Sequence, residues 1–197
     1  MSHFRAALLT LVLIGCTSRE PGAPARIDHV IVGVSDLERG VREIERLTGV
    51  RAVTGGAHPG QGTRNALLSL GEDSYLEIYA PNPVEPVSSP AVEELRALDR
   101  PTPIGWAAST SDSRSLRSTL ESKGFPLSQP ERGSRRRPDG SSLSWVTYGF
   151  AKLDHPLAPF FIEWGDARLH PSRTSPEGCS LRSLRIEDPA ADRLRRA

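Results

Sequence analysis

The sequence has little cysteine, little excess charge and no long apolar run. Cys16 and Cys179 are the only cysteines among 197 residues, so a disulfide-rich scaffold is excluded and a hydrophobic core must hold the fold. Lys and Arg number 25 and Asp and Glu 24, which lacks the basic excess of a nucleic-acid-binding protein. No apolar stretch reaches the about 20 residues of a membrane-spanning helix. In contrast, 17 Gly and 17 Pro indicate many turns and loops.

The N-terminal stretch has the features of a targeting segment. A short apolar run follows Arg5 and ends in Leu13-Ile14-Gly15-Cys16, which resembles a bacterial lipobox. We therefore expect a lipoprotein signal peptide over residues 1–15, lipid attachment at Cys16 and a tether over residues 16–25. The protein would then be anchored to a membrane of the bacterial cell envelope. The alternative is an ordinary secretory signal in which Cys16 is incidental.

A repeated strand-to-helix pattern organises the rest of the chain. The run Ile27–Leu37 is rich in Val and Ile, and Ser35 with Glu38 has the form of a capping box, so a strand should lead directly into a helix. The pattern returns near Ile104 and again near Leu181. It predicts an α+β fold made of two strand-helix-three-strand modules, at residues 26–90 and 101–170, and a partial β-α unit at residues 179–197.

Polar side chains within the apolar strands are the candidates for chemistry. His29 lies in the first strand, and Glu77 and Glu163 each lie between apolar residues of later strands. A buried carboxylate is costly unless it is paired or bound to a metal. The alternatives are that His29 is a core histidine bonded to backbone and that both glutamates lie on a solvent-facing side of their strands.

Four motifs in order give a family resemblance. They are the strand around His29, His58-Pro59-Gly60-Gln61-Gly62-Thr63-Arg64-Asn65, Tyr75-Leu76-Glu77 and Phe161-Ile162-Glu163-Trp164. Together they resemble a glyoxalase-like domain of the vicinal oxygen chelate superfamily, which includes glyoxalases, extradiol dioxygenases and bleomycin-resistance proteins. The resemblance implies two βαβββ modules that form a curled mixed sheet around a cleft.

The resemblance also implies a divalent metal, held by residues of the first and last strands of each module. The matching positions are His29, Glu77 and Glu163, whereas Gly105 or Trp106 stands where the fourth ligand would be. Such a set would hold Zn, Mn, Fe or Ni, with His58 as a further donor. Glu163 or Glu77 would act as the catalytic base.

Residues around the expected cleft are candidates for binding a small-molecule substrate. His58, Arg64, Asn65 and Trp106 are the expected contacts, although His58 and Arg64 fit a solvated surface and Trp106 fits the core equally well. The arginine-rich stretch that begins at Arg132 is either a solvated loop or a segment that closes over an anionic substrate.

Three functional interpretations follow. The first is a metal-dependent lyase, isomerase or dioxygenase that acts on a small molecule with vicinal oxygens. The second is a protein of the same fold that binds or sequesters a small molecule without catalysis. The third is a structural envelope protein that forms a homodimer through an open strand edge of its partial third unit.

Overall fold

The computed structural model describes the backbone of residues 8–12 and residues 25–136, 140–153, 155 and 157–187. Cys16, most of the expected tether and residues 188–197 of the partial third unit lie outside this part of the chain. The strands are β1 (Leu8–Val12), β2 (Arg26–Gly33), β3 (Val53–His58), β4 (Thr63–Ser69), β5 (Tyr75–Pro81), β6 (Thr102–Ser109), β7 (Glu131–Arg136), β8 (Ser142–Tyr148), β9 (Phe160–Trp164) and β10 (Ser183–Glu187). The helices are α1 (Leu37–Thr48), α2 (Pro90–Arg96) and α3 (Ser113–Ser122), with short 3-10 turns at Ala167–Leu169 and Pro171–Arg173.

Eight strands form one mixed sheet in the order β3-β4-β5-β2-β6-β9-β8-β7. The central pair β2 and β6 is antiparallel and joins the two halves, and each of these strands also has a parallel partner, β5 or β9. The sheet curls until its outer strands approach each other, since a Cβ built at Gly55 of β3 would lie 3.0 Å from Nη1 of Arg135 in β7. The expected α+β fold with a curled mixed sheet is confirmed.

Helix α1 covers the outer face of the first half. Asp36 caps it by accepting a hydrogen bond from the backbone N–H of Arg39, and Gly49 ends it with φ 75°. The expected Ser35 cap is wrong, because the Ser35 hydroxyl donates to the Leu98 carbonyl instead. The apolar stripe of α1 packs on a core that consists of Val30, Val32, Val34, Leu37, Val41, Ile44, Ala52, Ala66, Leu68, Leu70, Leu76, Ile78 and Ala80.

Helix α3 covers the second half in the same way, with Asp112 as its cap. Its residues Leu116 and Leu120 pack on a smaller core that also contains Ala108, Leu127, Tyr148 and Phe161. The arginine-rich stretch, for which a loop was one interpretation, contains strand β7, paired with β8 from Glu131 to Arg136. Strand β7 is at the edge of the sheet, where Arg, Gly and Ser are tolerated because one side of the strand faces solvent.

The strand of the expected third unit is present as β10. It pairs antiparallel with β1 and not with the large sheet, while Leu184 and Ile186 pack against the first core. The backbone of residues 8–12, which we expected to belong to a signal peptide, is thus in register with β10. Among the described residues, no helix is long and apolar enough to cross a membrane.

Candidate active site

A cavity of about 370 Å³ lies on the concave side of the sheet, between the two halves. The first half supplies mainly polar groups, with His29, His58, Asn65 and Glu77 among them. The second half supplies Arg135 and an apolar and aromatic wall that includes Leu143, Trp145, Phe160, Ile162 and Trp164. The cavity therefore has one polar side, which carries titratable groups, and one wall suited to apolar or aromatic groups.

Glu77 is at the centre of the polar side. It faces the cavity because side chains alternate along β5, so that Tyr75 and Tyr79 share its face. Its side chain is almost completely buried, and Oε1 accepts a hydrogen bond of 2.5 Å from Nδ2 of Asn65. The Nε2 atoms of His29 and His58 each lie 3.6 Å from one of its oxygens, Oε2 and Oε1 respectively. A carboxylate flanked by two imidazoles is an arrangement that can exchange protons with a bound molecule.

His29 reaches Glu77 because β2 and β5 are parallel neighbours, in which His29 pairs with Tyr75. Its ring stacks on the Tyr75 ring with centroids 4.5 Å apart. Its Nδ1 donates to Oδ1 of Asp28 at 2.7 Å. Since an ionised carboxylate only accepts, Nδ1 of His29 carries a proton in this contact, and Nε2 faces Glu77.

Asp28 belongs to the candidate site but is not among the residues expected from the sequence. It points to the same side as His29 because the β2–β6 register shifts between Ile27 and His29, a β-bulge that leaves Asp28 without a strand partner. It is fully buried, and its Oδ2 accepts hydrogen bonds from Nε1 of Trp164 at 2.9 Å and Nε2 of His170 at 3.0 Å. A buried carboxylate is as costly at Asp28 as at Glu77, and Asp28 lies in the same apolar run as His29, so the sequence did contain a signal for it.

The pKa of the Asp28 carboxyl lies well below its usual range. Burial alone would raise this pKa, but the hydrogen bonds that the carboxylate accepts from His170 and His29 outweigh it. His170 comes from the turn after β9, and its Nδ1 accepts from the backbone N–H of Ser172. Asp28 thus stays ionised and connects β2 to Trp164 and to the segment that follows β9.

A second hydrogen-bond network, on the Nδ1 side of the ring, orients His58. Its Nδ1 is 2.9 Å from the Thr63 hydroxyl, which in turn donates to the Tyr79 hydroxyl at 2.9 Å. Burial lowers the pKa of His58, the Glu77 charge raises it again in part, and the Arg135 charge lowers it further. His58 is therefore uncharged at neutral pH. Burial raises the pKa of Tyr79, so its phenol keeps its proton.

Three of the expected site residues are not in the cavity. Arg64, Trp106 and Glu163 do not line the cavity. Glu163 lies between Ile162 and Trp164, which do line it, so its side chain points to the other face of the sheet. Trp106 packs against the second core and donates from Nε1 to the Leu157 carbonyl at 2.9 Å. Glu163 pairs with Val146, which also packs against the second core. These three assignments are corrected, whereas His29, His58, Asn65 and Glu77 do come together.

The register explains why Glu163 was misplaced. His29 lies eight residues before α1 and Gly105 eight residues before α3, so Gly105 is its counterpart. Glu77 pairs with Ile31, two residues after His29, and Phe160 pairs with Ala107, two residues after Gly105. Phe160 is therefore the counterpart of Glu77. The similarity of the glutamate-containing motifs suggested an alignment that is displaced by three residues.

The donor set does not fit the metal site that the resemblance implies. Its second-half positions are Gly105 and Phe160, neither of which can bind a metal. Within the described part of the chain, no group of three or more His, Cys, Asp or Glu residues is arranged to hold a metal ion.

Comparisons with known proteins support the same architecture. Residues 27–197 match the family model of the glyoxalase-like domain. A comparison with curated proteins returned no match.

Several solved structures share this fold at low sequence identity. A hypothetical protein from Staphylococcus aureus aligns with a TM-score of 0.59 and 18% identity over 76% of this chain, which spans 63% of that protein. A hypothetical protein from Bacillus halodurans aligns with a TM-score of 0.51 and 14% identity, over 73% of this chain and 97% of that one. Methylmalonyl-CoA epimerase from Mycobacterium tuberculosis aligns with a TM-score of 0.47 and 24% identity, over 70% and 86%. The first two likenesses establish the fold, and the reaction must be argued from the site.

Proposed function

Because the chain belongs to the family of glyoxalase-like domains, we propose that its cleft binds a small molecule with two neighbouring oxygen atoms and moves a proton on it. One observation carries this proposal. Both oxygens of the buried Glu77 carboxylate face the Nε2 atom of an imidazole, and all three groups line one cavity. A core position would not require three titratable side chains to converge on an open cavity.

The roles of the three side chains follow from their partners. Glu77 is the base that removes a proton from the carbon next to a carbonyl group. His29, fixed by Asp28 with the proton on Nδ1, turns its Nε2 towards Glu77 and accepts and returns that proton. His58 is uncharged and orients Glu77 together with Asn65, whose Nδ2 lies within hydrogen-bonding distance of both.

The test is proton exchange on a simple probe. The probe is 2-hydroxyacetophenone, which has two neighbouring oxygens, a CH2 group beside the carbonyl and a ring suited to the aromatic wall. We expect the protein to accelerate the exchange of this CH2 for deuterium in D2O, followed by NMR. Glu77→Gln should reduce the rate by about 10²- to 10⁴-fold, which is the usual contribution of a positioned base. An exchange rate no higher than in buffer would contradict the proposal.

A second function is supported by the composition of the second half. Its contribution to the cavity is Arg135 with an aromatic and aliphatic wall, and its counterparts of His29 and Glu77 are Gly105 and Phe160. Such a wall binds rings by stacking without any reaction. A protein that binds 2-hydroxyacetophenone but does not exchange its protons would be a binding protein of this fold.

A further inference from the structure

Arg135 brings a positive charge into the cleft. Among the described residues that line the cavity, it is the one Lys or Arg. It comes from the edge strand β7 of the second half and is partly buried. Arg132 lies three residues earlier on the same strand, outside the cavity, and is exposed. The two arginines are therefore a matched pair, one inside the cleft and one outside.

A glycine pair on the opposite edge makes room for this guanidinium group. A Cβ at Gly55 would be 3.0 Å from Nη1 of Arg135, and one at Gly56 would be 3.3 Å from the same atom. The guanidinium group thus lies against the backbone of Gly55 and Gly56, where no side chain intervenes. It bridges the edge strands β7 and β3 of the sheet. A side chain at either glycine would crowd it, so this backbone fits the arginine closely.

The charge of Arg135 acts on the polar side of the cavity. It lowers the pKa of His58 and opposes the rise in the pKa of Tyr75. Glu77 places a negative charge in the same cavity, which repels an anionic ligand unless a cation compensates. A guanidinium group binds a carboxylate through two parallel hydrogen bonds, so it selects for that group by geometry as well as charge.

We propose that the cleft takes carboxylates, namely 2-oxo or 2-hydroxy acids, whose carboxylate pairs with Arg135 while the rest of the molecule lies against the aromatic wall. This inference rests on the proposed function and narrows it, because a carboxylate with an oxygen on the next carbon is one kind of vicinal-oxygen molecule. Arg135 is then the residue that determines specificity, and it holds the two halves of the sheet around the ligand.

The test uses two probes of the same shape. Phenylglyoxylate and 1-phenylpropane-1,2-dione differ in that a carboxylate oxygen of the first is a methyl group in the second. Isothermal titration with the full chain should give tighter binding of phenylglyoxylate, and raising the salt concentration should reduce this preference. Arg135→Gln should weaken phenylglyoxylate binding on the order of tenfold or more, with little effect on the dione. Arg132→Gln should change neither Kd.

Several results would overturn the inference. If the parent protein binds the dione as tightly as phenylglyoxylate, the ligand class is wrong, although the proposed function stands. If Arg135→Gln weakens both probes equally, Arg135 has a structural role only. Should that variant fail to fold, Arg135→Lys keeps a cation and must keep part of the preference. If neither probe binds the parent protein, the vicinal-oxygen class itself is wrong, and both proposals fail together.

Discussion

Asp28 is a buried carboxylate with hydrogen-bond donors from His29, Trp164 and His170 around it. Because the donors come from β2, from β9 and from the turn that follows β9, this one side chain connects both halves of the molecule. A buried charge of this kind is stabilising only while its partners are present. The residue therefore affects both the stability of the fold and the orientation of His29.

We expect Asp28→Asn to lower the free energy of unfolding by about 3 kcal/mol, because the amide has no charge and places a donor where the carboxylate accepts. Urea unfolding at pH 7 measures this change. Asp99→Asn, at an exposed position, is the control and should stay within about 0.5 kcal/mol of the parent. Equal effects at the two positions would mean that the Asp28 network does not stabilise the fold.

The loss of stability in Asp28→Asn should depend on pH. The folded-state pKa of Asp28 is depressed, so its contribution is fully present above the unfolded value of about 3.9 and is lost as the pH falls below it. The difference in stability between the parent and Asp28→Asn should therefore be largest near neutral pH and shrink in acid. A difference that grows as the pH falls would contradict the assigned direction of the pKa shift.

Strands β3 and β7 are the two elements that close the sheet around the cavity. Their approach depends on Gly55, where a Cβ would overlap Oδ1 of Asn65 and lie 2.8 Å from Cγ of Leu67. Asn65 donates to Glu77, so crowding at this glycine would act directly on the candidate active site. The backbone of β3 is thus part of the site, although it contributes only one of the converging side chains.

We expect Gly55→Ala to destabilise the protein by about 1–3 kcal/mol, the usual cost of overpacking, and to displace Asn65. Gly105→Ala is the matched control, because a Cβ at Gly105 meets only Cδ1 of Ile31, at 3.8 Å. It should change the free energy of unfolding by less than about 0.5 kcal/mol. Thermal unfolding of both variants measures these changes. If Gly55→Ala and Gly105→Ala lose similar amounts of stability, the space around Gly55 does not limit side-chain size.

The whole molecule combines a cleft that the structure describes with an N-terminal segment that it describes only in part. We propose that the protein is lipid-anchored through Cys16 in the bacterial cell envelope, as the apolar run that ends at this cysteine suggests. Cleavage before Cys16 would remove β1, the partner of β10. The cleft itself lies in the large sheet and does not include either strand.

If the anchor is correct, cells that express the full chain should incorporate labelled palmitate into the protein and retain it in the membrane fraction. Cys16→Ser should abolish both, because no thiol remains at position 16 to accept the lipid. Cys179→Ser is the control and should leave labelling unchanged. Labelling that persists in Cys16→Ser would contradict the proposal.

The repeat and the family resemblance sufficed to predict the fold and four of the converging site residues. His29 and Glu77 were recognisable because a polar group in an apolar strand is costly, and His58 and Asn65 belong to a motif. Glu163 was misassigned because similar motifs do not fix the register, which depends on pairing between β6 and β9. Asp28 and His170 meet across 142 residues of chain through a bulge that no local pattern indicates.

The most direct test of the central claim compares Glu77→Gln with Glu163→Gln in the deuterium exchange of 2-hydroxyacetophenone. Both glutamates lie between apolar residues of a strand, but only Glu77 faces the cavity. We expect Glu77→Gln to reduce the rate of exchange by about 10²-fold or more and Glu163→Gln to keep nearly the parent rate. Equal rates in the two variants, or a loss confined to Glu163→Gln, would contradict the assignment of Glu77 as the base.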